Sequence, residues 1–127
     1  MKKTLQILGF FSSLLFFNVS STFAAALVIE VSGNPEKQTI TYQCEMGTNK
    51  ERVEATYYNA DDISLVDFKW QGDRIIAANV IAASGAKYVG EQYIWWEKNK
   101  EVTLYDLTQD PEEKKPILCK DESLLLF

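Results

Sequence analysis

Gln38-Thr39-Ile40-Thr41-Tyr42-Gln43-Cys44-Glu45 alternates without a break. Ile40, Tyr42 and Cys44 fall on one side and Thr39, Thr41 and Gln43 on the other, which is the period of two that a half-buried β-strand imposes on its sequence. β-branched and aromatic side chains suit such a pleated, half-buried surface. Arg52–Tyr58 repeats the pattern, with Val53, Ala55 and Tyr57 on the inner side, and Met46–Lys50 between the two reads as a loop. Further along, Ile63–Trp70, Arg74–Ala83, Tyr88–Trp96 and Glu101–Leu107 read as strands, separated by polar turns at Asn59–Asp62, Gln71–Asp73 and Lys98–Lys100. Upstream, the apolar run Ala26–Val31 ends in a turn at Ser32–Pro35. From Asp110 the chain is charged and broken by proline until Ile117–Cys119. No segment carries an apolar stripe of helical period. Short strands at intervals of roughly ten residues predict an all-β domain, an antiparallel barrel or a sandwich.

The chain has 127 residues, 46% of them hydrophobic and 24% charged, the size and composition of one globular domain. It contains no histidine. That removes the Ser-His-Asp and Cys-His nucleophile systems and most zinc sites, and neither a metal nor a cofactor is expected. Acid pairs such as Asp61-Asp62 and Glu112-Glu113 are adjacent in sequence and do not resemble a positioned acid and base. A net charge of −5 with only two arginines, Arg52 and Arg74, makes nucleic acid a poor partner.

Lys2 and Lys3, the apolar block Leu5–Phe17, a polar stretch Asn18–Thr22 and the small residues Ala24, Ala25 and Ala26 follow the three-part order of a signal peptide. The expected division is a leader over 1–24 and a folded domain over 25–127, with cleavage after Ala24 favoured over Ala26. The apolar block is shorter than the ~20 residues of a membrane span, and no cysteine stands near the cleavage site to take a lipid. A soluble exported protein is expected, with no lipid anchor. Losing two lysines and no acid takes the net charge from −5 to −7. Cys44 and Cys119 remain, and an even count in an oxidising compartment is most simply one disulfide.

Two segments offer surface chemistry. Ser84-Gly85-Ala86-Lys87-Tyr88 interrupts an apolar strand, and Gly85 permits a backbone shape that other residues resist. Glu97-Lys98-Asn99-Lys100 follows Trp95-Trp96, and Asn99 tolerates the left-handed conformation of a tight hairpin. If Tyr88–Trp96 is one strand, the two segments lie at opposite ends of it, and periodicity does not settle whether they meet. A Ser84–Lys98 catalytic dyad would need a buried, deprotonated lysine, which a polar turn does not provide.

The ordered set Tyr42-x-Cys44, Tyr57-Tyr58-Asn59-Ala60, Ala83-Ser84-Gly85-Ala86-Lys87-Tyr88, Tyr93-x-Trp95-Trp96-x-Lys98, Thr103-Leu104-Tyr105 and Cys119 resembles the MliC/PliC family, bacterial inhibitors of c-type lysozyme in membrane-bound and periplasmic forms. The resemblance implies a single antiparallel β-barrel of about eight strands, closed by a Cys44–Cys119 disulfide. It also implies a binding protein, not an enzyme. Two loops would enter the lysozyme cleft, where Ser84 and Lys98 meet the catalytic carboxyls. Gly85 and Tyr88 belong to the first loop's motif, with Tyr88 supporting it by packing and Lys87 at the rim. Asn99 stands where the family usually has glycine. Without a lipid-anchor cysteine the chain looks like the periplasmic form. C-type lysozymes are typically basic, so an acidic inhibitor would be steered towards them. The alternative is a periplasmic β-barrel carrier of a small apolar ligand, which requires a hollow interior. A homodimer is possible through an edge strand and exposed aromatics, and the apolar end Leu124–Phe127 reads either as a closing strand or as a subunit contact.

Overall fold

A computed structural model describes residues 24–126. Apart from Ala24, the expected leader lies outside these residues, as does Phe127. The described chain folds into eight antiparallel strands: β1 Glu36–Met46, β2 Asn49–Ala60, β3 Ile63–Trp70, β4 Asp73–Val80, β5 Ala86–Gly90, β6 Tyr93–Lys98, β7 Glu101–Asp106 and β8 Ile117–Asp121. Each pairs with its neighbour in sequence, and β8 returns to pair with β1, so the sheet is a closed barrel. Of the two architectures the sequence left open, the barrel is the one formed. Closure is partial along the seam: β8 pairs with β1 only over Tyr42–Glu45, so Glu36–Thr41 keeps one edge without a strand partner among the described residues.

The alternation read from the sequence sets the inside. Tyr42, Cys44, Val53, Ala55 and Tyr57 are buried, as are Val66, Phe68 and Trp70 on β3 and Trp95 on β6. Large aromatics fill the lumen. Trp95 packs edge-on to Tyr42 at 5.4 Å between ring centroids and against Phe68 at 4.4 Å. A packed lumen opposes the carrier alternative, which needs an empty one. The polar ends of these rings satisfy each other. Trp95 Nε1 donates to the Tyr57 hydroxyl at 2.8 Å, which lies 2.9 Å from the Tyr42 hydroxyl. Burial raises the pKa of both phenols well above the ordinary tyrosine range, with the nearby Glu97 carboxylate adding to the shift.

Cys44 and Cys119 stand opposite each other where β1 meets β8 and form the disulfide. Both are fully buried. The bond spans 75 residues and ties the seam at which the barrel closes.

Several elements differ from their sequence reading. Ala26–Val31 is not a strand; it runs irregularly and exposed, apart from half-buried Val31. Met46–Lys50 is not a long loop, because only Gly47 and Thr48 lie outside the strands. Arg74–Ala83 ends at Val80. Tyr88–Trp96 is two strands, reversing at Glu91–Gln92, with Glu91 left-handed at φ 51°. Of the apolar end, the described Leu124–Leu126 forms no closing strand, since β8 closes the barrel and Glu122–Leu126 is a short 3-10 turn with Leu124 and Leu125 half-exposed.

Two measurements check this core. Replacing both cysteines by alanine removes the constraint of a 75-residue loop, and the denaturant midpoint is expected to fall by the equivalent of about 4 kcal/mol in the chain-entropy account. The buried phenols hold their protons in the folded state while an unfolded tyrosine releases its own near pH 10. Stability from this source is therefore complete below about pH 10 and falls as the pH rises past it, because the unfolded chain then binds fewer protons. Tyr42→Phe is expected to flatten that alkaline decline in a series of urea melts.

Candidate functional site

The reversal at Glu91–Gln92 decides the geometry. β5 runs away from the Ile81–Gly85 loop, turns, and β6 returns to the Asn99–Lys100 turn. Ala86 pairs with Glu97 and Lys87 with Trp96. The two segments singled out in the sequence therefore lie side by side at one end of the barrel, where a single strand would have kept them apart.

Contacts confirm the adjacency. Trp96 Nε1 donates to the Ser84 carbonyl oxygen at 2.9 Å. Gly85 is left-handed at φ 67°, and a Cβ there would press into the Glu97 carbonyl oxygen and come within 2.5 Å of Lys98 Cγ. Only glycine fits this crossing of loop and strand. On the other side, Asn99 and Lys100 are both left-handed, at φ 50° and 63°, so asparagine takes the conformation expected of it. Lys100 adopts it without glycine or asparagine chemistry, and its carbonyl accepts from the Asp121 amide at 3.3 Å.

Ser84 and Lys98 are both exposed. Among the described residues no hydrogen bond engages the Ser84 hydroxyl and no carboxylate pairs with Lys98. The Lys98 ammonium rests 4.2 Å from the centroid of the Trp96 ring, and that of Lys87 rests 4.8 Å from it. Two positive charges thus share one indole at the surface of an acidic chain. Lys98 is exposed, where a Ser84–Lys98 dyad would need it buried.

Tyr88 lies inside the barrel at 4% exposure. Its ring is edge-on to Tyr57 at 5.8 Å and its hydroxyl lies 3.3 Å from Ser64 Oγ, so it belongs to the core next to β5. Ser64 donates in turn to Asn59 Oδ1 at 2.6 Å. Asn79 donates to the Lys87 carbonyl at 3.2 Å and steadies the start of β5. The residue that sequence reading passed over is Trp96. It appeared as half of an aromatic pair, whereas strand alternation puts Trp95 in the core and Trp96 outside, on the same side as Lys98. Among the described residues no group of histidine, cysteine or carboxylate side chains is placed to hold a metal.

Residues 42–113 match the family described as membrane-bound lysozyme-inhibitor of c-type lysozyme. Curated relatives carry the same description. One from Cupriavidus necator is 36% identical over 75 residues, covering 59% of this chain and 58% of its own length. Another from Pseudomonas aeruginosa is 36% identical over 87 residues, covering 68% and 66% respectively. The chain thus spans 58% and 66% of these two relatives' length. Among solved structures, that of Pseudomonas aeruginosa MliC in complex with hen egg white lysozyme superposes with a TM-score of 0.64 at 30% identity, covering 77% of this chain and 95% of that one. The matched segment begins at Tyr42 in the barrel wall and takes in both the Ser84 loop and the Lys98 turn, and on that footing the chain belongs to the MliC family.

Proposed function

We propose that this protein inhibits c-type lysozyme, inserting the Ser84 loop and the Lys98 turn into the enzyme's cleft so that a hydroxyl and an ammonium meet its two catalytic carboxyls. One observation carries the reading: an unpaired serine and an unpaired lysine are held next to each other at one end of a rigid barrel. Membership of the MliC family supports the choice of target, as does the likeness to a family member whose structure was determined with hen egg white lysozyme.

The chemistry follows from how lysozyme works. One of its carboxyls must be protonated to act as general acid while the other is ionised. Ser84 donates a hydrogen bond to one of them. Lys98 pairs with the other and stabilises the ionised form of any carboxyl near it, which opposes the protonated state the general acid needs. Charge-assisted bonds in a closed cleft are stronger than surface pairs. The loops also fill the space of the polysaccharide. Lys87 adds positive charge at the rim, and Gly85 lets the loop cross β6 closely enough to keep both tips within one groove. The acidic remainder of the molecule steers it towards a basic enzyme. In this reading the protein acts by binding alone and catalyses no reaction.

The family description places its members at the membrane. For this chain we propose the soluble periplasmic form, on the reading of residues 1–24 as a cleaved leader. Osmotic-shock fractionation is expected to release it with the periplasm; recovery in the membrane pellet would overturn that placement.

Purified protein added to a c-type lysozyme acting on a cell-wall suspension is expected to stop the clearing. Lys98→Ala should raise Kd by roughly 30-fold or more, and Ser84→Ala by about tenfold, both chiefly through faster dissociation, while the association rate falls as salt is added. Full inhibition by the doubly substituted protein would defeat the assignment of these residues. Gly85→Ala tests the crossing itself. Its strained φ and the collision with β6 are expected to weaken inhibition more than Ser84→Ala does and to destabilise the fold by about 1–3 kcal/mol, read by thermal unfolding.

A further inference from the structure

We propose that Trp96 is the positioning residue of the site, a single side chain that fixes both of its halves. The inference rests on the inhibitor reading for its consequence but not for its geometry. The indole edge holds one half, since Nε1 donates to the Ser84 carbonyl oxygen at 2.9 Å. The indole face holds the other, with the Lys98 ammonium 4.2 Å from the ring centroid. Lys87, paired across the sheet with Trp96, brings a second ammonium to the same ring at 4.8 Å.

Each contact suits this task. The Ser84 loop is exposed, and outside regular strands its backbone has few other anchors. A hydrogen bond to a main-chain carbonyl fixes the backbone while leaving the Ser84 hydroxyl free for a partner. A lysine in water samples many rotamers, and ordering it on binding opposes association. An ammonium resting on an aromatic face is already restricted, yet its N–H donors stay open to an incoming carboxylate. Trp96 is itself held within β6, where its backbone is paired with both β5 and β7. Its neighbour Trp95 anchors the same strand in the core. Trp96 touches the Ser84 main chain and the Lys98 ammonium, and so acts on recognition as a positioning residue.

Trp96→Phe separates the two contacts, because it keeps an aromatic face and removes the N–H donor. In the free protein, 15N relaxation is expected to show order parameters at Ser84 and Gly85 falling from about 0.85 to below about 0.6, with the melting temperature little changed. Against lysozyme, Trp96→Phe should weaken inhibition about fivefold. In a Ser84→Ala background the same substitution should change it less than twofold, since the hydroxyl being positioned is already gone. Unchanged order parameters at Ser84 and Gly85 in folded Trp96→Phe would overturn the proposal, and so would a full fivefold effect in the Ser84→Ala background. The relaxation measurement needs no lysozyme, so it tests the anchoring by Trp96 even if the protein proves not to inhibit that enzyme.

Discussion

Everything in this molecule depends on β1 being paired on both sides. Its register with β2 runs its full length from Glu36 to Met46, and β8 meets it again from Tyr42 to Glu45. Closure turns one face of every strand inward, which is why the period of two in the sequence becomes a packed lumen and not one face of an open sheet. The disulfide sits on this seam, so the pairing between the two strands farthest apart in sequence is also the covalently fixed one. Opening the seam would expose two strand edges and the apolar lumen together.

Closure also fixes which connections share an end. In an up-and-down barrel every reversal sends the chain to the other end, so loops separated by two strands meet and loops separated by one do not. The Ser84 loop and the Lys98 turn meet because β5 and β6, not one long strand, lie between them. That division rests on Glu91–Gln92, a reversal with none of the usual turn residues at its centre. The preceding Gly90 marks it from another direction, since a Cβ there would lie 2.8 Å from Ala77 Cα on β4. The glycine reports a close strand approach next to the turn, a role indistinguishable in sequence from a break in a strand.

This explains what was legible in the chain and what was not. Strand parity was legible wherever polar and apolar residues alternate, as at Tyr42, Cys44, Val53, Ala55 and Tyr57, because burial on one face imposes the pattern directly. Ser84 and Lys98 stood out as carriers of surface chemistry, Gly85 and Asn99 as backbone positions with special needs, and all were tied to a function by resemblance to a family. Their proximity was hidden, because Val89 to Trp96 contains few polar residues and a run of that kind has no visible phase. Trp96 was hidden for the same reason. In Ile94-Trp95-Trp96 three apolar neighbours occupy both faces, and Ile94 is buried although it shares the outward side with Trp96. The apolar run Ala26–Val31 is the opposite case, since it carries β-prone residues and forms no strand, so composition without alternation does not set one.

The adjacent tryptophans show how the core and the site are joined. Trp95 sends its N–H inward to Tyr57, and Trp96 sends its own along the surface to Ser84. One peptide unit thus connects the aromatic packing of the lumen to the loop that carries the serine, and two residues further the same strand carries the lysine. A loop anchored in this way has lost its conformational freedom during folding, before any partner arrives. Association then need not order the loop a second time, so more of each hydrogen bond and ion pair appears as affinity. For a protein that would act by occupying a groove with as few contact groups as a hydroxyl and an ammonium, an avoided ordering cost of about 0.5–1.5 kcal/mol per side chain is of the same order as one hydrogen bond.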